Sequence, residues 1–110
     1  MPQGAAPRHN GRMNGPRTSD PLVFRVCFVC TGNICRSPMA EAIMRDIAVA
    51  NGYGGTLIVT SAATGDWHVG EHADPRTIEA LDARGYDGRR HRARQFDPGW
   101  FPELDLVVAF

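Results

Sequence analysis

The sequence predicts an α/β fold, a small open parallel sheet with helices on both faces. Three observations predict it. Three short segments are apolar and rich in β-branched residues, two stretches with apolar residues at helical spacing separate them, and each connection is long enough for a crossover. This alternation is typical of parallel sheets with right-handed crossovers. Because the chain has 110 residues and no internal repeat, we expect a single domain over residues 21–110.

The first strand and the first helix are predicted from one continuous stretch. Residues 22–30 (LVFRVCFVC) form an apolar run of the kind that is buried on both faces of a sheet. Ser37 and Pro38 then predict the start of a helix, with Glu41 in its first turn. Asn51-Gly52 predicts its end. The apolar positions that recur at helical spacing are Met39, Ile43, Ile47 and Ala50.

Two further strands and one further helix complete the predicted fold. The strand candidates are residues 56–62 (TLIVTSA) and residues 104–110 (LDLVVAF). Asp74-Pro75 predicts the start of the second helix, and Gly85 predicts its end. The remaining segments are predicted as a loop at 63–73, an irregular polar stretch at 85–95, and a loop or short turn of helix at 97–103.

The charge balance and the cysteine content restrict the possible functions. Twelve Arg balance twelve Asp plus Glu, and no lysine is present, so no basic excess indicates a nucleic-acid or membrane partner. Residues 1–20 lack the apolar core of a signal peptide, and we expect them to be a disordered extension. Three cysteines within nine residues do not form the framework of a secreted domain, so we expect free thiols in the cytoplasm.

The loop after the first strand combines a cysteine with an arginine and a helix start. Cys30 ends the strand, and Arg36 and Ser37 follow after five intervening residues. A loop that enters a helix N-terminus directs backbone N–H groups and partial positive charge at one point, and an arginine adds a fork for phosphate oxygens. Such a field stabilises a thiolate. The pattern predicts attack of Cys30 on a phosphate ester, although a cysteine that packs as a small apolar residue is an alternative.

Three segments of the chain resemble the low-molecular-weight protein tyrosine phosphatase family. They are VCFVCTGNICRSPMAEAIM at 26–44, VTSAATGDWHVGEHADPRTIEAL at 59–81 and GYDGRRHRARQF at 85–96, and the resemblance extends over residues 22–110. It implies hydrolysis of phosphotyrosine in protein substrates through a phosphocysteine, without a cofactor or metal. It also implies inhibition by phosphate or vanadate.

The same resemblance implies a role for each residue of the site. Cys30 would be the nucleophile and Arg36 the phosphate clamp. Cys35 would be a redox partner that can form a reversible disulfide with Cys30. The slot for the substrate's aromatic ring would be lined by Ile34 and Trp67. The remaining sets are a phosphate-binding loop of Thr31, Gly32, Asn33, Ile34, Cys35 and Arg36, and a supporting polar network of Asn33, Ser37, Ser61 and His91.

Several alternatives use the same residues differently. Cys27 and Cys30 form a CxxC pair, but residues three apart on a strand point to opposite faces, and no second pair has zinc-ligand spacing. Arsenate reduction needs further cysteines, and none follows Cys35. Relatives that act on phosphoarginine carry a smaller, hydroxylated residue where Ile34 stands, so Ile34 favours phosphotyrosine. A binding or vestigial module that keeps the loop without turnover is a further hypothesis.

The polar residues outside the loop allow two interpretations. Without the resemblance, His91 and its arginine neighbours read as a solvated basic surface. With it, His91 orients Asn33, while the arginines stay mostly at the surface and favour acidic substrate flanks at most. The arginine neighbours of His91 are Arg89, Arg90, Arg92 and Arg94. No partner is predicted for the remaining histidines.

The end of the chain is expected to lack part of the family's domain. Relatives continue with a further strand, a helix and an Asp-Pro loop whose aspartate is the general acid. Asp97-Pro98 looks like that loop but lies before the third predicted strand, and Asp66 is a poor substitute. The strand at 104–110 would then lie at an open sheet edge, which favours aggregation.

Overall fold

Three parallel strands form the sheet in the computed structural model, which describes residues 22–110. The central strand β1 (Phe24–Cys30) lies between β2 (Leu57–Ala63) and β3 (Leu106–Ala109). Because all the strands run in the same direction, their carboxyl ends meet at one edge of the sheet, which is where ligands bind in open α/β folds. The predicted α/β fold class is confirmed. The predicted extension, residues 1–20, lies outside the described residues.

The register pairs β1 with β2 along its whole length. Phe24 lies beside Leu57 at one end, and Cys30 lies beside Ala63 at the other. Strand β3 is shorter, and its pairing with β1 begins at Val26. The register places the end of β2 directly beside Cys30.

Helix α1 (Arg36–Ala50) covers one face of the sheet. Its residues Ala40 and Met44 pack on Val26, Phe28 and Val59, which the strands direct to that face. The burial of apolar area between helix and sheet is the main stabilising interaction here. None of the helices in residues 22–110 combines the length and the apolar content needed to cross a bilayer.

The other face is covered by a short 3₁₀ helix (Pro98–Glu103). Its Trp100 packs against Cys27, Val29 and Ala62. Cys27 is fully buried, as expected for a packing residue, and burial raises the pKa of its thiol above the ordinary value. The segment predicted as a loop or a short turn of helix therefore supplies the cover of the second face.

Helix α2 (Pro75–Ala83) begins and ends where its capping residues predict. The Asp74 carboxylate accepts a hydrogen bond from the Arg76 backbone N–H at 2.8 Å, and Pro75 occupies the first turn. The helix ends at Ala83 with Arg84 as its C-cap, and Gly85 follows with a φ of 84°. The helix packs beside α1, and its Leu81 is buried.

The start of α1 differs from the prediction. The helix begins at Arg36, and its first turn contains no acidic residue, so the placement of Glu41 in that turn was wrong. The reason is the backbone at Cys35, which turns directly into the helix and is not capped by a side chain. Glu41 therefore lies one turn deeper, where it faces β2 and the loop.

Candidate active site

The loop between β1 and α1 is held by a buried asparagine. Asn33 is fully buried, and its φ of 59° lies in the left-handed region, which asparagine tolerates better than most residues. Its backbone N–H donates to the Cys30 sulfur at 3.3 Å. The left-handed turn thus directs a main-chain donor back at the last residue of the strand.

The side chain of Asn33 connects the loop to α1 and β2. Its Nδ2 donates to Ser37 Oγ at 2.8 Å and to Ser61 Oγ at 2.9 Å. Its Oδ1 accepts from the Arg94 backbone N–H at 3.0 Å, and its carbonyl oxygen accepts from His91 Nε2 at 2.6 Å. The structure therefore brings the predicted polar network together, and every polar group of Asn33 has a partner. A buried network that is fully satisfied fixes one backbone conformation.

Glu41 is a member of this network that the sequence analysis missed. Ser61 Oγ accepts a hydrogen bond from Asn33 Nδ2 and donates one to Glu41 Oε1 at 2.5 Å. The carboxylate is also paired with Arg45 and lies 3.9 Å from His91 Nδ1. The available signal was spacing, because Ser37, Glu41 and Arg45 are each four residues apart and so share one face of the helix.

The surroundings of Cys30 favour its thiolate. Burial opposes ionisation, but the Ser37 hydroxyl and the backbone N–H groups of Ser37, Asn33 and Gly32 stabilise the anion, and the net effect lowers the pKa of Cys30 below its ordinary value. Ser37 Oγ lies 2.9 Å from the sulfur. Because Ser37 Oγ already accepts from Asn33, its own proton is available to the sulfur.

The surroundings of His91 disfavour its protonated form. Burial lowers the pKa of His91, Arg94 and Arg45 lower it further, and the Asn33 carbonyl and Glu41 act in the opposite direction. The net direction is downward. Because a carbonyl oxygen can only accept, the proton of the neutral ring lies on Nε2 and points at the loop.

A pocket of about 360 Å³ opens above the Cys30 sulfur. The loop contributes its floor, and the exposed guanidinium of Arg36 is available at its side. The indole of Trp67 is 66% exposed and forms a wall. No lining residue within 22–110 is a carboxylic acid. The lining residues are Cys30, Thr31, Gly32, Ile34, Cys35, Arg36, Trp67 and His68.

The pocket therefore contains most of the predicted site and one residue that was not predicted. The predicted slot residues Ile34 and Trp67 both line it, whereas the side chain of Asn33 lies beneath the loop. His68, for which no partner was predicted, lines the pocket, and its Nδ1 lies 2.9 Å from Glu71 Oε1. A carboxylate three residues after a histidine was the available signal.

Most of the arginines after α2 are exposed, as expected, and the partly buried Arg94 is the exception. Its Nε donates to the Ser61 carbonyl oxygen at 3.2 Å, and its guanidinium lies 5.1 Å from the ring centroid of Trp100. Arg92 donates to the Gly70 carbonyl oxygen at 3.3 Å. Arg89 does pair with acidic residues at the surface.

The two aspartates considered as acids lie away from the pocket lining. Asp97 accepts from the Gly99 backbone N–H at 2.8 Å and begins the 3₁₀ helix, and Asp66 is exposed. A metal site is likewise not indicated, since no group of three or more His, Cys, Asp or Glu residues in the described part of the chain could hold an ion.

The comparisons with known proteins agree with this geometry. The family model described as low molecular weight phosphotyrosine protein phosphatase matches residues 25–110. A low molecular weight protein-tyrosine-phosphatase of Streptomyces coelicolor is 58% identical over 88 residues, which is 80% of this chain and 53% of the relative. Low molecular weight protein-tyrosine phosphatase A of Mycobacterium tuberculosis is 54% identical over 91 residues, which is 83% of this chain and 53% of the relative.

A solved structure agrees over the same region. The crystal structure of YfkJ from Bacillus subtilis superposes with a TM-score of 0.77 at 41% identity, covering 79% of this chain and 55% of that one. The chain thus spans about half the length of the curated relatives that it matches. The loop that holds Cys30 and Arg36 lies within the matched segment, and the chain belongs to the low molecular weight phosphotyrosine protein phosphatase family.

Proposed function

We propose that this chain carries the nucleophile and phosphate-binding half of a protein tyrosine phosphatase. The observation that carries the proposal is the Cys30 sulfur, which lies at the base of an open pocket with a lowered pKa and with Ser37 Oγ at 2.9 Å. A perturbed nucleophile in a pocket is a sound basis for assigning an active site. The substrate class is aryl phosphate monoesters, with phosphotyrosine in a protein as the physiological form.

The reaction proceeds in two displacements at phosphorus. The Cys30 thiolate forms a sulfur–phosphorus bond while the bond from phosphorus to the aryl oxygen breaks, and the phenolate leaves with the electron pair and takes up a proton. Water then forms a bond to phosphorus, the sulfur–phosphorus bond breaks, and inorganic phosphate and the thiolate are released. The thiol stays reduced throughout, and no cofactor takes part.

The loop and Arg36 supply the electrostatic part of the catalysis. The charge in each transition state is spread over the equatorial phosphate oxygens, where main-chain N–H groups and a guanidinium fork stabilise it. Residues 31–36 carry this role, and the network around Asn33 holds them in place. Preorganised donors of this kind contribute most when their supports are rigid.

The walls of the pocket favour a flat aromatic ring. Ile34 and the indole of Trp67 line the opening and offer apolar surface on which a phenyl ring can pack. The same apolar wall disfavours the polar chain of phosphoarginine. Cys35 also lines the pocket as a free, exposed thiol, and we assign it the reversible protection of Cys30 by a disulfide. Hydrogen peroxide would take two electrons and two protons from the two thiols and be reduced to water as the sulfur–sulfur bond forms, and a dithiol reductant would reverse the step by exchange. That chemistry requires reduced thiols at rest, and it suits a cytoplasmic location.

The decisive experiment is the Cys30→Ser variant of the 110-residue chain. We expect hydrolysis of p-nitrophenyl phosphate to be abolished while inorganic phosphate still binds, because the loop amides and Arg36 remain. Thermal melting and phosphate titration of both proteins check that the variant is folded. Turnover in the variant equal to that of the parent chain would rule out the proposal. Phosphate binding without any turnover in the parent chain would identify a binding module instead.

A further inference from the structure

We propose that Gly65 is a positioning residue for the aromatic part of the substrate, acting through Trp67. The indole of Trp67 packs on the backbone of Gly65, which has no side chain, and we call this contact the seat. The seat sets the position of the indole relative to the Cys30 sulfur. The inference rests on the proposed function, because it concerns how the same pocket recognises an aryl group. It adds a residue outside the loop to the recognition of the ring.

The indole occupies the space that a side chain at position 65 would need. A methyl carbon built on Gly65 would lie 1.8 Å from Cζ3, 2.2 Å from Cε3 and 2.4 Å from Cη2 of Trp67. Carbon atoms that are not bonded pack at about 3.5–4.0 Å, so the methyl and the indole cannot both be present as drawn. The backbone of Gly65 is not in the left-handed region, so alanine fits the main chain there. The cost of Gly65→Ala therefore falls on the position of the indole.

The seat is connected to the phosphate loop by main-chain hydrogen bonds. The Thr64 N–H donates to the Cys30 carbonyl oxygen at 2.9 Å, and the Gly65 N–H donates to the Thr31 carbonyl oxygen at 3.2 Å. These bonds continue the pairing of β1 with β2 beyond its last register pair. These backbone links fix Gly65 relative to Cys30, and the contact of Trp67 with Gly65 relates the indole to the same backbone.

This contact matters because the indole has little other packing. Trp67 is 66% exposed, so little of its surface is covered, and its six-membered ring fills the space beside the Gly65 backbone. Its neighbour in the wall is fixed differently. His68 Nδ1 lies 2.9 Å from Glu71 Oε1, so a polar contact holds that ring. A glycine lies beside each of these two residues, but the clash would be much more severe at Trp67: a methyl carbon on Gly65 would lie 1.8 Å from the indole, whereas one on Gly32 would lie 2.9 Å from the His68 imidazole.

The consequence for binding is specific to the ring. An indole displaced from Gly65 no longer presents its face to a phenyl group above Cys30, and aromatic contacts depend on ring geometry. Inorganic phosphate has no ring and touches only the loop and Arg36. We therefore expect Gly65→Ala to weaken binding of phenylphosphonate by roughly 3- to 10-fold, with the affinity for inorganic phosphate unchanged.

The experiment measures both affinities by titration calorimetry on the full 110-residue chain. Phenylphosphonate is used because its carbon–phosphorus bond is not hydrolysed, so the result does not depend on turnover. The matched control is Gly55→Ala, since a methyl carbon there meets nothing within 4 Å and the backbone is not left-handed. We expect the ratio of the two affinities to change in Gly65→Ala and to stay constant in Gly55→Ala.

Iodide quenching of tryptophan fluorescence supplies a second readout. The chain has two tryptophans, and Trp100 is 6% exposed, so the quenchable signal is that of Trp67. Displacement from Gly65 uncovers the ring face and should increase the quenching constant. In Trp67→Ala the ring contribution should be lost, and adding Gly65→Ala to it should change the affinity ratio no further, because the two positions act through one contact.

The outcomes separate the two proposals. A parent chain that binds both ligands, with an unchanged ratio in Gly65→Ala, would overturn the seat and leave the phosphatase proposal intact. An additive effect of Gly65→Ala in the Trp67→Ala background would also overturn it, as would an equal loss of both ligands. A parent chain that binds neither ligand would overturn both proposals.

Discussion

The hydroxyl oxygen of Ser37 lies 2.9 Å from the Cys30 sulfur and accepts a hydrogen bond from Asn33 Nδ2 at 2.8 Å. The direction of one hydrogen bond thereby fixes the direction of the next. Asn33 Nδ2 donates a hydrogen bond to Ser37 Oγ, and the Ser37 hydroxyl in turn donates to the sulfur. Asn33 is fully buried and is not among the residues that line the pocket, but through Ser37 it favours the charged form of Cys30.

The first prediction follows from that direction. In Ser37→Ala the sulfur loses its hydroxyl donor, and we expect the pKa of Cys30 to rise. At neutral pH the thiolate fraction falls, so alkylation by iodoacetamide slows, and its pH profile moves to higher pH. The lowered pKa of Cys30 also makes the stability of the folded chain depend on pH. Stability linked to the lowered pKa is present above the pKa of an unfolded cysteine and is lost as the pH falls through the folded value, and the variant should lose that contribution.

Thermal melting against pH provides the check on the first prediction. The difference in melting temperature between the parent chain and Ser37→Ala should be larger at alkaline pH than at pH 6. An unchanged alkylation profile would show that the backbone N–H groups alone set the thiolate.

Glu41 gives the second prediction. Its carboxylate accepts the proton of Ser61, so Glu41→Ala leaves a buried hydroxyl without its acceptor. We expect a loss of about 1–3 kcal/mol in the free energy of unfolding, with partial rescue in Glu41→Gln, whose amide oxygen can still accept. Urea denaturation measures the loss. The matched control is Glu79→Ala on the exposed surface of α2, which should change stability little. Equal losses in the two alanine variants would contradict a role for Glu41 in the network.

The third prediction concerns the leaving group. Since no residue that lines the pocket within 22–110 is a carboxylic acid, the described site offers no obvious acid for a poor leaving group. General acid catalysis commonly contributes about 10²–10⁴-fold. For the 110-residue chain, kcat with p-nitrophenyl phosphate should therefore exceed kcat with phenyl phosphate by at least roughly 100-fold. Similar values for the two esters would show that a proton donor operates which the pocket lining does not reveal.

These predictions separate what local sequence determines from what packing determines. The strands, the caps of α2 and the position of Cys30 at the end of β1 follow from short-range patterns, because apolar runs and capping residues act on their own neighbours. The role of Glu41 does not follow in this way. Its partner Ser61 is twenty residues away, and the two meet only because α1 packs across β2.

Arg94 and His68 show the same limit. A cluster of arginines usually lies in solvent, and only the fold places Trp100 beneath the guanidinium of Arg94. His68 enters the pocket because the loop after β2 passes over Gly32, where a methyl carbon would lie 2.9 Å from the imidazole Cδ2. Contacts between segments that are distant in sequence depend on topology, which residue patterns alone leave open.

The last prediction tests the conformation of the loop. Asn33 combines a left-handed backbone with side-chain hydrogen bonds to Ser37 and Ser61. Asn33→Gly should lose the hydrogen bonds but keep the backbone conformation without strain, whereas Asn33→Ala should lose the bonds and also incur the left-handed penalty. We expect both variants to be destabilised, Ala more than Gly by about 1–2 kcal/mol, as measured by urea denaturation. Phosphate titration should rank them in the same order, because the strained loop in Asn33→Ala relaxes away from the shape that directs its N–H groups at the anion. Equal stability and equal phosphate affinity in Gly and Ala would mean that the left-handed turn is not needed to form the site.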